Sequence, residues 1–153
     1  MDPKCRVIER PNDKADIGFV IYYPFQFYVY KNVYEELAAR AEFIIDLSHP
    51  FSQKQHDALL RDIVTLLDKH NAPYRILYRS EFIYKRFLRN FFEKYNCLVS
   101  VWERGCMALP ETAHIKKVCT TYGAGKELTM VRPSRGLYDV ILAYGERDAQ
   151  ILS

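Results

Sequence analysis

Short apolar runs alternate along this chain with longer segments of helical periodicity, and that alternation limits the fold more than any other feature. Residues 17–22, 43–47, 74–78 and 98–102 are runs of large apolar and aromatic side chains with few polar interruptions. Runs of this length read as strands buried on both faces. Between them lie stretches with apolar residues at helical spacing. Residues 28–40 carry Val29, Val33, Leu37 and Ala38. The segment from Ser52 to about His70 carries Leu59, Leu60, Ile63, Val64, Leu66 and Leu67, a broad apolar face. Ser52 followed by Gln55 is a capping box for that helix. A third helix is predicted over 81–95 with Ser80 as its cap. Residues 118–122 and 138–144 complete the pattern as a fifth and a sixth strand, and 103–117 is irregular or a short helix.

Strands joined by helices of about a dozen residues make right-handed crossovers and a parallel sheet. The expected fold is therefore α/β, a three-layer Rossmann-like domain with a mainly parallel sheet of about six strands. It spans 17–153, behind a polar N-terminal arm at 1–16. A length of 153 residues suits one such domain. The chain breaks off in what looks like the start of a helix, 145–153, which suggests that the natural protein or its ancestor continues.

Composition excludes several classes. A net charge of +3 with no Lys/Arg run argues against nucleic acid. Cys5, Cys97, Cys106 and Cys119 show no metal-ligand spacing, and nothing in the residues calls for a metal or a cofactor. Residues 1–16 are polar and broken by Pro3 and Pro11, unlike a signal peptide, and no apolar run spans a bilayer. The expectation is a reducing, cytoplasmic setting.

In open parallel sheets ligands bind beyond the carboxyl ends of the strands. Four segments are expected there: 22–27, 48–53, 103–110 and 122–136. The first contains Tyr23 and Gln26 among aromatic residues and lacks the glycines of a dinucleotide or flavin cradle. It can wall a substrate pocket, or act as a plug or a subunit contact that would make a homodimer. His49 stands at the end of the second strand, where histidine can serve as acid, base or donor, or simply bond to backbone. In Tyr122-Gly123-Ala124-Gly125-Lys126, the two glycines allow backbone amides to approach an anion, and Lys126 offers a point charge. A plain turn has the same appearance. The helix 81–95 is basic and aromatic, so it can make a weak membrane-surface contact or pack its aromatic face on the sheet. No Ser-His-Asp order, HExxH motif or nucleophile elbow is present.

The stretch Tyr122-Gly123-Ala124-Gly125-Lys126-Glu127, followed by Tyr138-Asp139-Val140-Ile141-Leu142, resembles the CDP-glycerol glycerophosphotransferase family of teichoic-acid primases and polymerases. In specific residues the likeness covers roughly 118–152, and in pattern most of the chain. It implies the N-terminal half of a GT-B enzyme, which is the acceptor side, with a C-terminal nucleotide-binding half still to come. The resemblance assigns catalytic positions to Tyr122 and Lys126, and substrate-binding positions to Gly123 and Gly125; His49, Tyr23 and Gln26 are further substrate-binding candidates from their place at the strand ends. The implied partners are a nucleotide-activated glycerol phosphate or sugar and a polyol or sugar acceptor. The implied place is the cytoplasm, peripheral to the inner face of the membrane. The family's histidine falls at Tyr122, and a tyrosine with an ordinary pKa of about 10 is a poor base at neutral pH. The nucleotide-binding half that the resemblance implies is not in this sequence, so the chain alone is expected to be inactive. The alternative is a free-standing, non-catalytic binding module of the same fold.

Overall fold

The computed structural model describes residues 7–48, 52–101, 105–120 and 137–142. The strands are β1 Ile17–Ile21, β2 Ala41–Leu47, β3 Tyr74–Tyr78, β4 Cys97–Ser100, β5 Lys116–Thr120 and β6 Val140–Leu142. They form one sheet in the order β3-β2-β1-β4-β5-β6, and every neighbouring pair is parallel. This is the doubly wound order of a Rossmann-like sheet. The chain winds outward from β1 to β3, then returns to the other side of β1 and winds outward again. The reversal falls between β1 and β4.

Period-2 alternation divides the sheet into two faces. Phe19 and Ile21 of β1 and Phe43, Ile45 and Leu47 of β2 point to one side. There they meet Phe27, Tyr30 and Tyr34 from helix α1 (Pro24–Leu37) and Leu60, Ile63 and Leu67 from helix α2 (Gln53–Lys69). Val20, Ile44, Leu77 and Leu98 point to the other side and pack on Leu88, Phe91 and Phe92 of helix α3 (Lys85–Phe92), with Tyr95, Cys106, Met107 and Ile115. Much of the tyrosine and phenylalanine is used as core. Phe43 meets the rings of Phe19, Phe27 and Tyr34 at centroid distances of 5.8, 5.4 and 4.8 Å, a geometry in which ring pairs add to area burial.

Helix ends follow local chemistry. Ser52 accepts the Gln55 N–H and Gln55 Oε1 accepts the Ser52 N–H, which makes the expected capping box. α2 ends through Asn71, at φ 51°, a left-handed conformation that asparagine tolerates. Two helices differ from the sequence reading. α1 begins at Pro24 rather than near Tyr28, because proline suits the first helical position, where its missing N–H is not needed. The expected helix 81–95 is split. A 3₁₀ segment, Arg79–Ile83, precedes α3, and Tyr84 between them has φ −101° and ψ 84°, outside the helical region. Ser80 is not its cap. The Glu81 carboxylate instead accepts the Tyr78 N–H at 2.8 Å.

Close packing at β1 requires its glycine. A Cβ at Gly18 would lie 2.7 Å from Ile44 Cδ1 and 2.8 Å from Leu98 Cδ2. Both atoms are terminal methyls and can turn, but both belong to fully buried side chains. Gly18→Ala should cost about 1–2 kcal/mol, at the lower end of overpacking, and Gly18→Val more. Urea melts of the two variants check the order.

Residues 7–16, part of the polar arm of the sequence reading, are bound across the sheet border. Arg10 and Tyr74 exchange backbone hydrogen bonds of 3.1 and 2.8 Å in an antiparallel bridge. The Glu9 carboxylate accepts the Ile76 N–H at 2.8 Å, and the Tyr74 hydroxyl donates to the Ile8 carbonyl. With Glu81 on Tyr78, all three outward amides of β3 are engaged, so this edge offers no free row of donors. Farther along, Asn12 N–H donates to Glu42 at 2.8 Å, and Asn12 Nδ2 reaches the carbonyls of Ala38, Ala39 and Ala41 between α1 and β2. Asp16 is held by Arg40 and Asn96, and the Arg40 guanidinium draws its carboxyl below the ordinary range. We call residues 7–16 the strap.

Candidate functional site

Because every strand runs the same way, their carboxyl ends share one rim. It is formed by Ile21, Leu47, Tyr78, Ser100, Thr120 and Leu142. A crevice on that rim is the default ligand site of this topology, at the reversal between β1 and β4. The side chains closing it there come from the β1–α1 turn.

That turn spends several of its polar groups on itself. Gln26, in the first turn of α1, is fully buried, and its Oε1 accepts both the Tyr22 N–H at 2.8 Å and the Tyr23 N–H at 3.0 Å. The Gln26 N–H in turn donates to the Tyr23 carbonyl at 3.1 Å. Pro24 contributes no N–H at all. Three amides that could otherwise face an anion at this helix start, those of Tyr22, Tyr23 and Gln26, are thus taken within the turn. Tyr23 is half-buried. Its ring stacks on Phe25 at 5.9 Å and packs against Tyr22 at 4.6 Å. Gln26 Nε2 is buried and makes no hydrogen bond among the described residues. Tyr23 and Gln26 therefore do stand together at the rim. Gln26 binds backbone there with its oxygen, a role that reading it as a loop residue did not anticipate.

Of the other candidates, His49, Tyr122, Gly123, Gly125 and Lys126 lie outside the described residues. The segment 103–110 is described from Gly105 on. Cys106 and Met107 are buried in the α3-side core, and the Thr112 hydroxyl donates to the Cys106 carbonyl at 2.9 Å. That part of the expected ligand loop is packed core. Asp139, within the family-like stretch, sits at the opposite rim. Its carboxylate accepts the Lys117 N–H at 2.7 Å and its N–H donates to the Lys117 carbonyl at 2.9 Å, which ties β6 to the start of β5.

Sequence reasoning missed two polar groups at the ligand rim. Asp46 is 1% exposed, and Oδ1 accepts the Ser48 N–H at 2.8 Å. It stands one residue past Ile45, the partner of Ile21, and so beside Tyr22. Ser100, also 1% exposed, ends β4 opposite Val20. The available signal was polarity inside an otherwise apolar strand, which a buried run does not tolerate without a reason. Behind them, the Tyr30 hydroxyl donates to the Val20 carbonyl at 3.3 Å, and burial pushes the phenol well above its ordinary pKa.

Among the described residues no three His, Cys, Asp or Glu side chains are grouped as a metal site would need. No helix among them is long and apolar enough to cross a membrane. Searches against family models and against curated proteins return no match for this chain.

Proposed function

We propose that this chain is the acceptor-side, N-terminal half of a transferase like the CDP-glycerol glycerophosphotransferases, working on the cytoplasmic side of a membrane and inactive without a nucleotide-binding half. The carrying observation is a division of the rim. In the β1–α1 turn the amides of Tyr22, Tyr23 and Gln26 are occupied, while the sequence Tyr122-Gly123-Ala124-Gly125-Lys126 begins two residues after Thr120, the last residue of β5. Glycines and a lysine that follow this strand so closely in sequence favour an anionic or polyhydroxylated ligand.

In the assembled enzyme an acceptor hydroxyl attacks the β-phosphorus of CDP-glycerol, and CMP leaves with the electrons of the broken P–O bond. Lys126 and the amides of Gly123 and Gly125 offset charge on the transferring phosphoryl group. Tyr122 donates a hydrogen bond to phosphate or to the acceptor. The replacement of the family's histidine by Tyr122 favours a second reading, a binding module without chemistry.

Thermal melts of the purified chain test the proposal. Glycerol-phosphate oligomers should raise Tm by several degrees, since ligand at a hundredfold excess over Kd adds about 2.7 kcal/mol. Lys126→Ala should remove most of that shift. CDP-glycerol alone should not move Tm. A shift with CDP-glycerol and none with the oligomers would overturn the acceptor-side assignment. An unchanged shift in Lys126→Ala would remove Lys126 from the site.

A further inference from the structure

The 3₁₀ segment Arg79–Ile83 leaves β3 at its carboxyl end, so it stands on the same rim as the candidate site. Phe82 turns inward against the α3-side core. The next two side chains do the opposite. Ile83 is 74% exposed and Tyr84 59% exposed, two large apolar groups at the tip where the chain turns into α3. Around them Arg79, Lys85, Arg86 and Arg89 are all exposed. α3 itself has its apolar side engaged, with Leu88, Phe91 and Phe92 buried on the sheet. Its basic side faces outward.

We propose that this tip docks on a bilayer bearing anionic headgroups, with Ile83 entering the acyl boundary and Tyr84 at headgroup level. The charge fits. From Arg79 to Arg89 there are four basic residues against one acidic residue, Glu81, whose Oε2 accepts the Tyr78 N–H. Glu9 nearby is likewise bonded to the Ile76 amide, and Glu93 lies beyond the end of α3, away from the tip. The shape fits as well. A stable protein partner covers about 800 Å² on each side, more than two protruding side chains present. An isolated apolar tip ringed by Lys and Arg is what a lipid interface takes, with aromatic side chains at the headgroups and cations drawn to anionic lipid. Docked this way, the carboxyl rim of the sheet faces the membrane. The proposal deepens the reading of a chain that works at a membrane, but none of its residues belongs to the acceptor site, so its test can fail without touching the acceptor assignment.

The test is flotation of the full chain with vesicles of phosphatidylcholine alone and of phosphatidylcholine mixed with phosphatidylglycerol. Binding is expected to the anionic vesicles only, and to weaken as salt is raised. Arg86→Glu with Arg89→Glu should lower the partition constant by about tenfold or more, since each basic residue near the surface contributes substantially. Ile83→Asp should lower it at low salt too. These side chains are exposed, so the melting curves of the variants should match the parent. Equal binding to neutral vesicles, no binding to either kind, or unchanged binding by the variants overturns the proposal. Retention of the chain by an acidic protein in the absence of vesicles would also overturn it in favour of a protein partner.

Discussion

Glu42→Ala should destabilise the chain by about 3–5 kcal/mol, the range for breaking a buried ion pair by removing one partner. Glu42, the second residue of β2, is fully buried and collects three long-range donors. The Asn12 N–H comes from the strap, Lys94 Nζ stands 2.6 Å away just past α3, and the Tyr95 hydroxyl makes a short hydrogen bond from the same turn. Removing the carboxylate takes this acceptor from the Asn12 amide and the Tyr95 hydroxyl, and leaves Lys94, only 25% exposed, with the Asn12 carbonyl but without its counter-charge. Burial, then the Glu42 charge, holds the Tyr95 phenol protonated far above the ordinary range, so the hydroxyl remains a donor at every working pH. For a domain whose whole stability is about 5–15 kcal/mol, the loss should be plain in urea melts at pH 7. Tyr95→Phe should cost less, near the 1–3 kcal/mol of one lost hydrogen bond to a charged group. A Glu42→Ala midpoint within error of the parent would mean that the three donors find water, and that the cluster is not what joins strap, β2 and α3.

Gln26→Ala is the second large effect. Two backbone donors, one of them fully buried, lose their acceptor at once, and an orphaned buried group costs about 1–3 kcal/mol. With the cavity added, the expected loss is about 2–5 kcal/mol. Gln26→Glu separates acceptor from shape. It keeps an oxygen for both amides but buries a carboxylate, so it should be weak at neutral pH and recover as the pH falls and that group takes up a proton. A Gln26→Ala melt equal to the parent would show that the β1–α1 turn holds its form through ring packing of Tyr22, Tyr23 and Phe25 alone.

The sheet was legible because its signals are redundant. Tyr74–Tyr78 is an apolar run bounded by proline and a charged residue, and it occurs as read. The α2 start was legible for a like reason, since Ser52 and Gln55 are a local chemical pair. The β1–α1 turn was not. Phe25, Gln26 and Phe27 look like a loop because aromatics are weak helix formers and Pro24 looks like a stop, whereas packing of Phe27 under Phe43 decides the matter. Likewise the strap has a tail's composition. Its long-range partners lie between 24 and 82 residues away, and no local pattern reports them. At the candidate site, topology placed the rim correctly. What sequence alone could not see was which of Gln26's atoms would be spent on backbone, or that Asp46 and Ser100 would stand buried beside that turn.

The strap carries a consequence for biosynthesis. It is synthesised before the sheet it seals, and its anchors on β3 lie 66 and 67 residues downstream, at Tyr74 and Ile76. An unfinished chain therefore holds a sealing segment with nothing to seal. Once β3 emerges, its border is bare until Glu9 and Arg10 return to it. Anything that delays that return, such as a bulky fusion at the amino terminus, leaves nascent molecules able to stitch to one another along β3.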